Sequence, residues 1–191
     1  MKNIDFINFT RNAFDKAFSL NRYNTIMERF CTTDITTDEE FHKNFIYFYR
    51  VRRSKEWCDE FFKIMQELRH SNDLSISDVL KRVCCIEGGG IELSFSSKLL
   101  HTINPDMPIW DSVVCTRLNL PKVPLRGSCE SRISAAVECY QELLQTFEKL
   151  KAEKNTKQQI ALFDKALPMY SQFSTTKKID FFLWQSKVLL P

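Results

Sequence analysis

The stretch "GGGIELSFSSKLLHTINPDMPIWDSVV", residues 88–114, decides how the chain is read. Three of the sequence's four glycines open it, a lysine follows inside an apolar run, and two prolines separate that run from Trp110-Asp111. On either side the pattern is plainer. Apolar residues recur at helical spacing nearly everywhere, and alternating strand-like runs are scarce, so the chain is expected to be all-α. Helices are expected at 3–19, 22–31, 38–52, 54–70, 76–86, 96–103, 112–119, 129–153, 156–170 and 176–189. Thr37, Ser75 and Ser128 stand before acidic first turns as helix N-caps. Pro105, Pro108, Pro121, Pro124 and Pro168 interrupt the pattern, because a ring without an N–H breaks a helix interior.

The composition sets the outer bounds. A chain of 191 residues with 16 Phe, 3 Trp and 43% hydrophobic residues can bury one substantial core, so residues 1–191 are read as a single domain. No apolar run approaches the roughly 20 residues needed to span a bilayer, and the start MKNIDFINFTRNAF lacks a signal-peptide core. A cytoplasmic, soluble protein without a membrane partner is the expectation. Seven cysteines at irregular spacing, with Cys84 and Cys85 adjacent, argue against a disulfide framework or a zinc set. They are read as reduced thiols in the core. His42, His70 and His101 form no ligand spacing, so neither a metal nor another cofactor is expected.

A net charge of +3 permits an anionic partner without demanding one. Arg50, Arg52, Arg53 and Lys55 follow the aromatic run Phe45–Tyr49, and Lys149, Lys151, Lys154 and Lys157 cluster further on. Each cluster reads first as a solvated helix face; basic residues beside aromatics also suit a nucleic-acid backbone with stacked bases.

Residues 87–120 carry the chemistry. Gly88, Gly89 and Gly90 allow positive φ and close backbone approach, either as a helix-ending turn or as a contact with phosphate. No Lys-Ser or Lys-Thr follows at nucleotide-loop spacing. Ser96 or Ser97 is expected to cap the next helix and leave Lys98 in its first turn, at the positive end of the helix dipole. An amine held there and desolvated loses its proton more readily and becomes a nucleophile. The ordinary alternative is an exposed lysine whose ammonium reaches water. Asp111 is placed to N-cap the helix beginning at Ser112, and a carboxylate there can also stabilise a cation or orient water.

A helical hairpin with a lysine in Ser94-Phe95-Ser96-Ser97-Lys98, then Pro108-Ile109-Trp110-Asp111 opening a further helix, resembles the helix-hairpin-helix superfamily of DNA glycosylases, in particular its 8-oxoguanine DNA glycosylase branch. "SKLLHTINPDMPIWDSVV" and the C-terminal "KIDFFLWQSK" are similar to short prokaryotic proteins of that branch. Serines stand where the family's hairpin has glycines, and Trp110 widens the Pro-to-Asp motif by one residue. The resemblance implies two helical lobes around a cleft, double-stranded DNA with a flipped base as partner, no cofactor, and a monomer. It also implies that Lys98 and Asp111 are catalytic and that Gly88, Gly89, Gly90, Ser94, Ser96, Ser97, His101, Trp110 and Ser112 contact the substrate. The activity implied is excision of a modified base, either an oxidised purine or a base of foreign DNA, with or without abasic-site lyase activity. A non-catalytic DNA-binding module and an unrelated helical interaction protein remain as alternatives.

Overall fold

The computed structural model describes residues 7–185, with side chains from Ser19 to Trp184. Among the described residues every regular element is helical: α1 (Ile7–Thr32), α2 (Glu39–Phe48), α3 (Lys55–Leu68), α4 (Ile76–Val83), α5 (Leu93–Ile103), α6 (Ser112–Leu118), α7 (Cys129–Ala152), α8 (Lys154–Ala166) and α9 (Thr175–Gln185), with a 3-10 turn at Pro168–Tyr170. The chain is all-α, as its periodicity predicts. Residues 3–6 and 186–189 of the expected terminal helices lie outside the described residues.

Among the boundaries that differ from expectation, three have a plain local cause. The segments 3–19 and 22–31 are one helix, because the buried stripe Leu20, Tyr23, Ile26 and Phe30 runs straight through the expected break. α8 stops at Ala166, two residues before Pro168, which opens the 3-10 turn instead. Asp38, not Thr37, caps α2, its Oδ1 accepting from the amides of Glu40 and Phe41, each at 3.0 Å. The caps at Ser75, in a reciprocal box with Asp78, and at Ser128 form as their sequences predict.

The buried faces explain the packing. α3 buries Trp57, Cys58, Phe61, Phe62, Met65 and Leu68, one continuous stripe, and α7 answers with Ala136, Cys139, Tyr140, Leu143, Phe147 and Leu150. These join residues of α1, α2, α4 and α5 in one large core. A smaller cluster gathers Leu20, Phe163, Leu167, Tyr170, Phe181 and Phe182. α9 serves both, giving Ile179 and Leu183 to the first and Phe181 and Phe182 to the second. The cysteines depart from the expected core role: only Cys58 and Cys139 are buried, while Cys31, Cys85 and Cys129 are exposed.

α4 and α5 pack against each other across the glycine-bearing turn. Two of its three glycines are required there for different reasons. Gly88 has φ +71°, and a Cβ on Gly89 would lie 2.8 Å from the carbonyl oxygen of Ile86. Gly90 has nothing closer than Glu92 Oε1 at 4.0 Å. Gly89→Ala is therefore expected to cost about 1–3 kcal/mol. Gly90→Ala is expected to add about 0.4–1 kcal/mol by stiffening the unfolded chain. Urea unfolding of the two variants beside wild type checks the opposite signs.

Candidate active site

Between α5 and α6 the chain turns through Pro105–Met107, the Met107 amide donating to the Asn104 carbonyl at 3.0 Å, and then runs without regular structure to Asp111; its other backbone groups are held by side chains. Ser174 Oγ donates to the carbonyl of Pro105 (2.6 Å) and Thr176 Oγ1 to that of Asp106 (3.0 Å). Tyr140 Oη donates to the carbonyl of Pro108 (2.8 Å), and the Trp110 amide donates to Ser97 Oγ (2.9 Å). His101 Nδ1 lies 2.6 Å from the Met107 carbonyl, and its Nε2 lies 2.9 Å from Tyr23 Oη. A carbonyl only accepts, so Nδ1 carries the proton and Nε2 accepts from the tyrosine. Burial, then the Lys177 charge, pushes His101 down to about 3, which keeps that neutral tautomer. Five backbone anchors thus deliver Asp111 to the start of α6, where its Oδ1 accepts from the Val113 amide at 2.8 Å.

Lys98 faces the same space from α5. The helix begins at Leu93 with Glu92 at its cap position and no side-chain cap, so Ser96 and Ser97 do not cap it and Lys98 lies beyond its first turn. The helix-dipole argument for this lysine is therefore replaced by another. Lys98 is only 6% exposed, and burial pushes its amine down to about 8, against the opposing charges of Asp111, Asp180 and Glu92. Its Nζ donates to Ser94 Oγ at 2.6 Å and sits 5.1 Å from the Phe95 ring centre and 5.8 Å from that of Tyr49. Among the described residues no carboxylate lies within ion-pair distance of it.

Both groups line one cavity of about 740 Å³. Its walls come from α1, α2 and the loop after it, α5, the start of α6, and α9. Six cationic side chains line it: Arg22, Arg50, Arg52, Arg53, Lys98 and Lys177. Among the described residues two carboxylates line it, Asp111 and Asp180. Lys177 and Asp180 are paired at 2.8 Å, both buried, with the ammonium 4.5 Å from the Tyr23 ring centre. Arg53 pairs with Glu92 and so ties the loop after α2 to the start of α5. Arg50 and Arg52 have no ion pair among the described residues. A basic lining of this kind, with Phe48, Phe95, Phe181 and Trp184 as apolar walls, suits an anionic ligand that carries a flat ring.

Arg50 stands in a strained position. The Val51 amide bonds the Ile46 carbonyl at 3.0 Å and the Arg50 amide that of Tyr47 at 3.3 Å, the pattern that ends a helix through a left-handed residue, here Arg50 with φ 51°. Glycine is the usual occupant. Instead an arginine is held at the cavity rim, its guanidinium 5.0 Å from the Trp184 ring centre.

Of the residues that the sequence singles out, Lys98, Asp111, Ser94 and Ser112 line the cavity. Ser96, Ser97 and His101 are fully buried, Ser97 and His101 as supports of the connection between α5 and α6. Trp110 packs on the large core, and Gly88–Gly90 form the turn outside the cavity lining. Sequence reasoning missed Arg22, Lys177, Asp180 and Trp184. The loop arginines Arg50, Arg52 and Arg53, taken first as a solvated face, border the cavity.

Two stability measurements follow. A lysine whose folded pKa is depressed binds fewer protons folded than unfolded between about 8 and its ordinary 10.5, so its burial penalty is fully present below pH 8 and fades as pH rises toward 10.5. Lys98→Met is expected to melt above wild type at pH 7, with the gap closing across that window. Arg50→Gly is expected to gain about 1 kcal/mol by relieving the left-handed residue, read by urea unfolding.

No protein-family model, no curated protein and no solved structure matches this chain, so the reading of the site rests on its own residues.

Proposed function

We propose that the protein is a DNA glycosylase that excises a modified base, with the helices arranged as two glycosylase-like lobes about the cavity. One observation carries the reading: a buried amine with no ion-pair partner among the described residues shares a basic-lined cavity with a carboxylate fixed at a helix start. A buried, unpaired lysine is costly to the fold, and such costs concentrate where chemistry needs them. Double-stranded DNA approaches the arginine loop, and the target nucleotide turns out of the stack into the cavity. Arg50 and Arg52, without an ion pair among the described residues, take phosphates, while the aromatic walls take the base.

The chemistry uses both groups. As the bond from C1′ to the base nitrogen breaks, its electron pair leaves with the base and positive charge develops on the sugar, which the Asp111 carboxylate stabilises. The neutral fraction of Lys98 then adds to C1′ and gives up a proton, leaving a covalent adduct that opens to a Schiff base.

Borohydride trapping on duplexes carrying a panel of modified bases tests this. Wild type is expected to trap covalently and to release a free base, with the rate rising about tenfold per pH unit until it levels near pH 8. Lys98→Ala is expected to abolish trapping, and Asp111→Asn to slow base release by about 10²–10³-fold. Arg50→Ala and Arg52→Ala should each lower the salt slope of DNA binding by about 1. Base release without trapping removes the Schiff base and keeps the glycosylase. Salt-sensitive binding with no base released replaces it with a DNA-binding module, and no binding at low salt ends the proposal.

A further inference from the structure

The connection between α6 and α7 opens on Asn119, left-handed at φ 53°, and closes on Gly127 at φ 121°. Between them runs Leu120-Pro121-Lys122-Val123-Pro124-Leu125-Arg126. Proline locks its own φ at about −65° and drives the residue before it out of the helical region. Leu120, Pro121, Val123 and Pro124 are therefore all confined to extended or polyproline II backbone. Exposure along the segment repeats every third residue. Leu120 and Val123 are half-buried and pack on the large core, whereas Pro121, Lys122, Pro124, Leu125 and Arg126 are exposed, Leu125 at 86%. A period of about three is that of the polyproline II helix, whose backbone forms no internal hydrogen bonds. Among the described residues, none of 121–127 makes a hydrogen bond or an ion pair.

We propose that Pro121–Arg126 is a docking strip for a partner domain whose groove is lined by aromatic side chains and edged by carboxylates. One face of this three-sided helix packs on the core, which leaves the other two for a partner. Pro121 and Pro124 share one outward ridge, and Lys122 and Leu125 share the next. Aromatic rings set side by side form sockets for such a proline ridge. Arg126 stands two residues beyond the second proline, with no carboxylate paired to it among the described residues, and supplies the charge that a groove carboxylate meets. The strip is also preformed. Its prolines and the core contacts of Leu120 and Val123 already fix the backbone, so docking orders little that was free. The strip lies outside the cavity lining, and its docking does not depend on the activity proposed above.

The test titrates the full-length protein, by calorimetry, with a panel of purified SH3 domains that bind Pro-x-x-Pro-x-Arg peptides and carry carboxylates beside the groove. At least one domain of the panel is expected to bind wild type. Pro121→Ala and Pro124→Ala are each expected to weaken that binding about tenfold or more. Arg126→Ala is expected to weaken it and to flatten its dependence on salt. All three side chains are exposed, so circular dichroism melts of the variants are expected to match wild type, which separates lost docking from a lost fold. Wild type that binds no domain of the panel, or binding undiminished in the variant carrying both Pro121→Ala and Pro124→Ala, overturns the docking strip.

Discussion

A connection without regular structure inside a helical protein has no ladder to satisfy its amides and carbonyls, and buried polar backbone left unpaired is costly. Residues 105–110 meet that constraint through Ser97, His101, Tyr140, Ser174 and Thr176, drawn from α5, α7, α9 and the chain just before α9. Each anchor comes from an element that is itself fixed by the cores. Asp111 inherits that rigidity, and the distance between it and α5 is set by packing instead of by a flexible loop. The neutral His101 belongs to this scaffold: a protonated ring would have no acceptor role left for Tyr23.

The electrostatics follow from the same arrangement. A chain with a net charge of only +3 gathers six cations around one hollow, so modest composition conceals a strong local field. Within it, Lys177 has its carboxylate, and Lys98 has none among the described residues. The two buried lysines therefore differ in kind: one is neutralised as part of the wall, the other is held at a cost that burial alone imposes. The strain at Arg50 points the same way, since a glycine would end α2 more easily but leave the rim without its guanidinium.

What could be read in the sequence was local. Helical periodicity, the Ser75 and Ser128 caps and the Asp111 cap depend on neighbours a few residues apart, and all three caps form. The lysine is expected to lose its proton through the helix end and desolvation together; desolvation alone acts, because Glu92 and Leu93 start α5 earlier than a cap at Ser96 or Ser97 would. Lys177 and Asp180, three apart, look like any surface pair on a helix, and only contact with Tyr23 and Phe48 from elsewhere in the chain buries them. The exposed thiols depart from the expected core role for the same reason: exposure and enclosure are decided by elements far apart in sequence.

Lys98 is held by a hydroxyl, and hydroxyls are ambidextrous. While the amine is charged, Ser94 Oγ accepts from it; once the proton has gone, the serine can turn its own hydrogen toward the nitrogen lone pair. A carboxylate in that place would lose its purpose at the moment of neutralisation. This contact can instead persist through the loss of charge, so the nitrogen keeps its station in either protonation state and little has to rearrange when it is called upon.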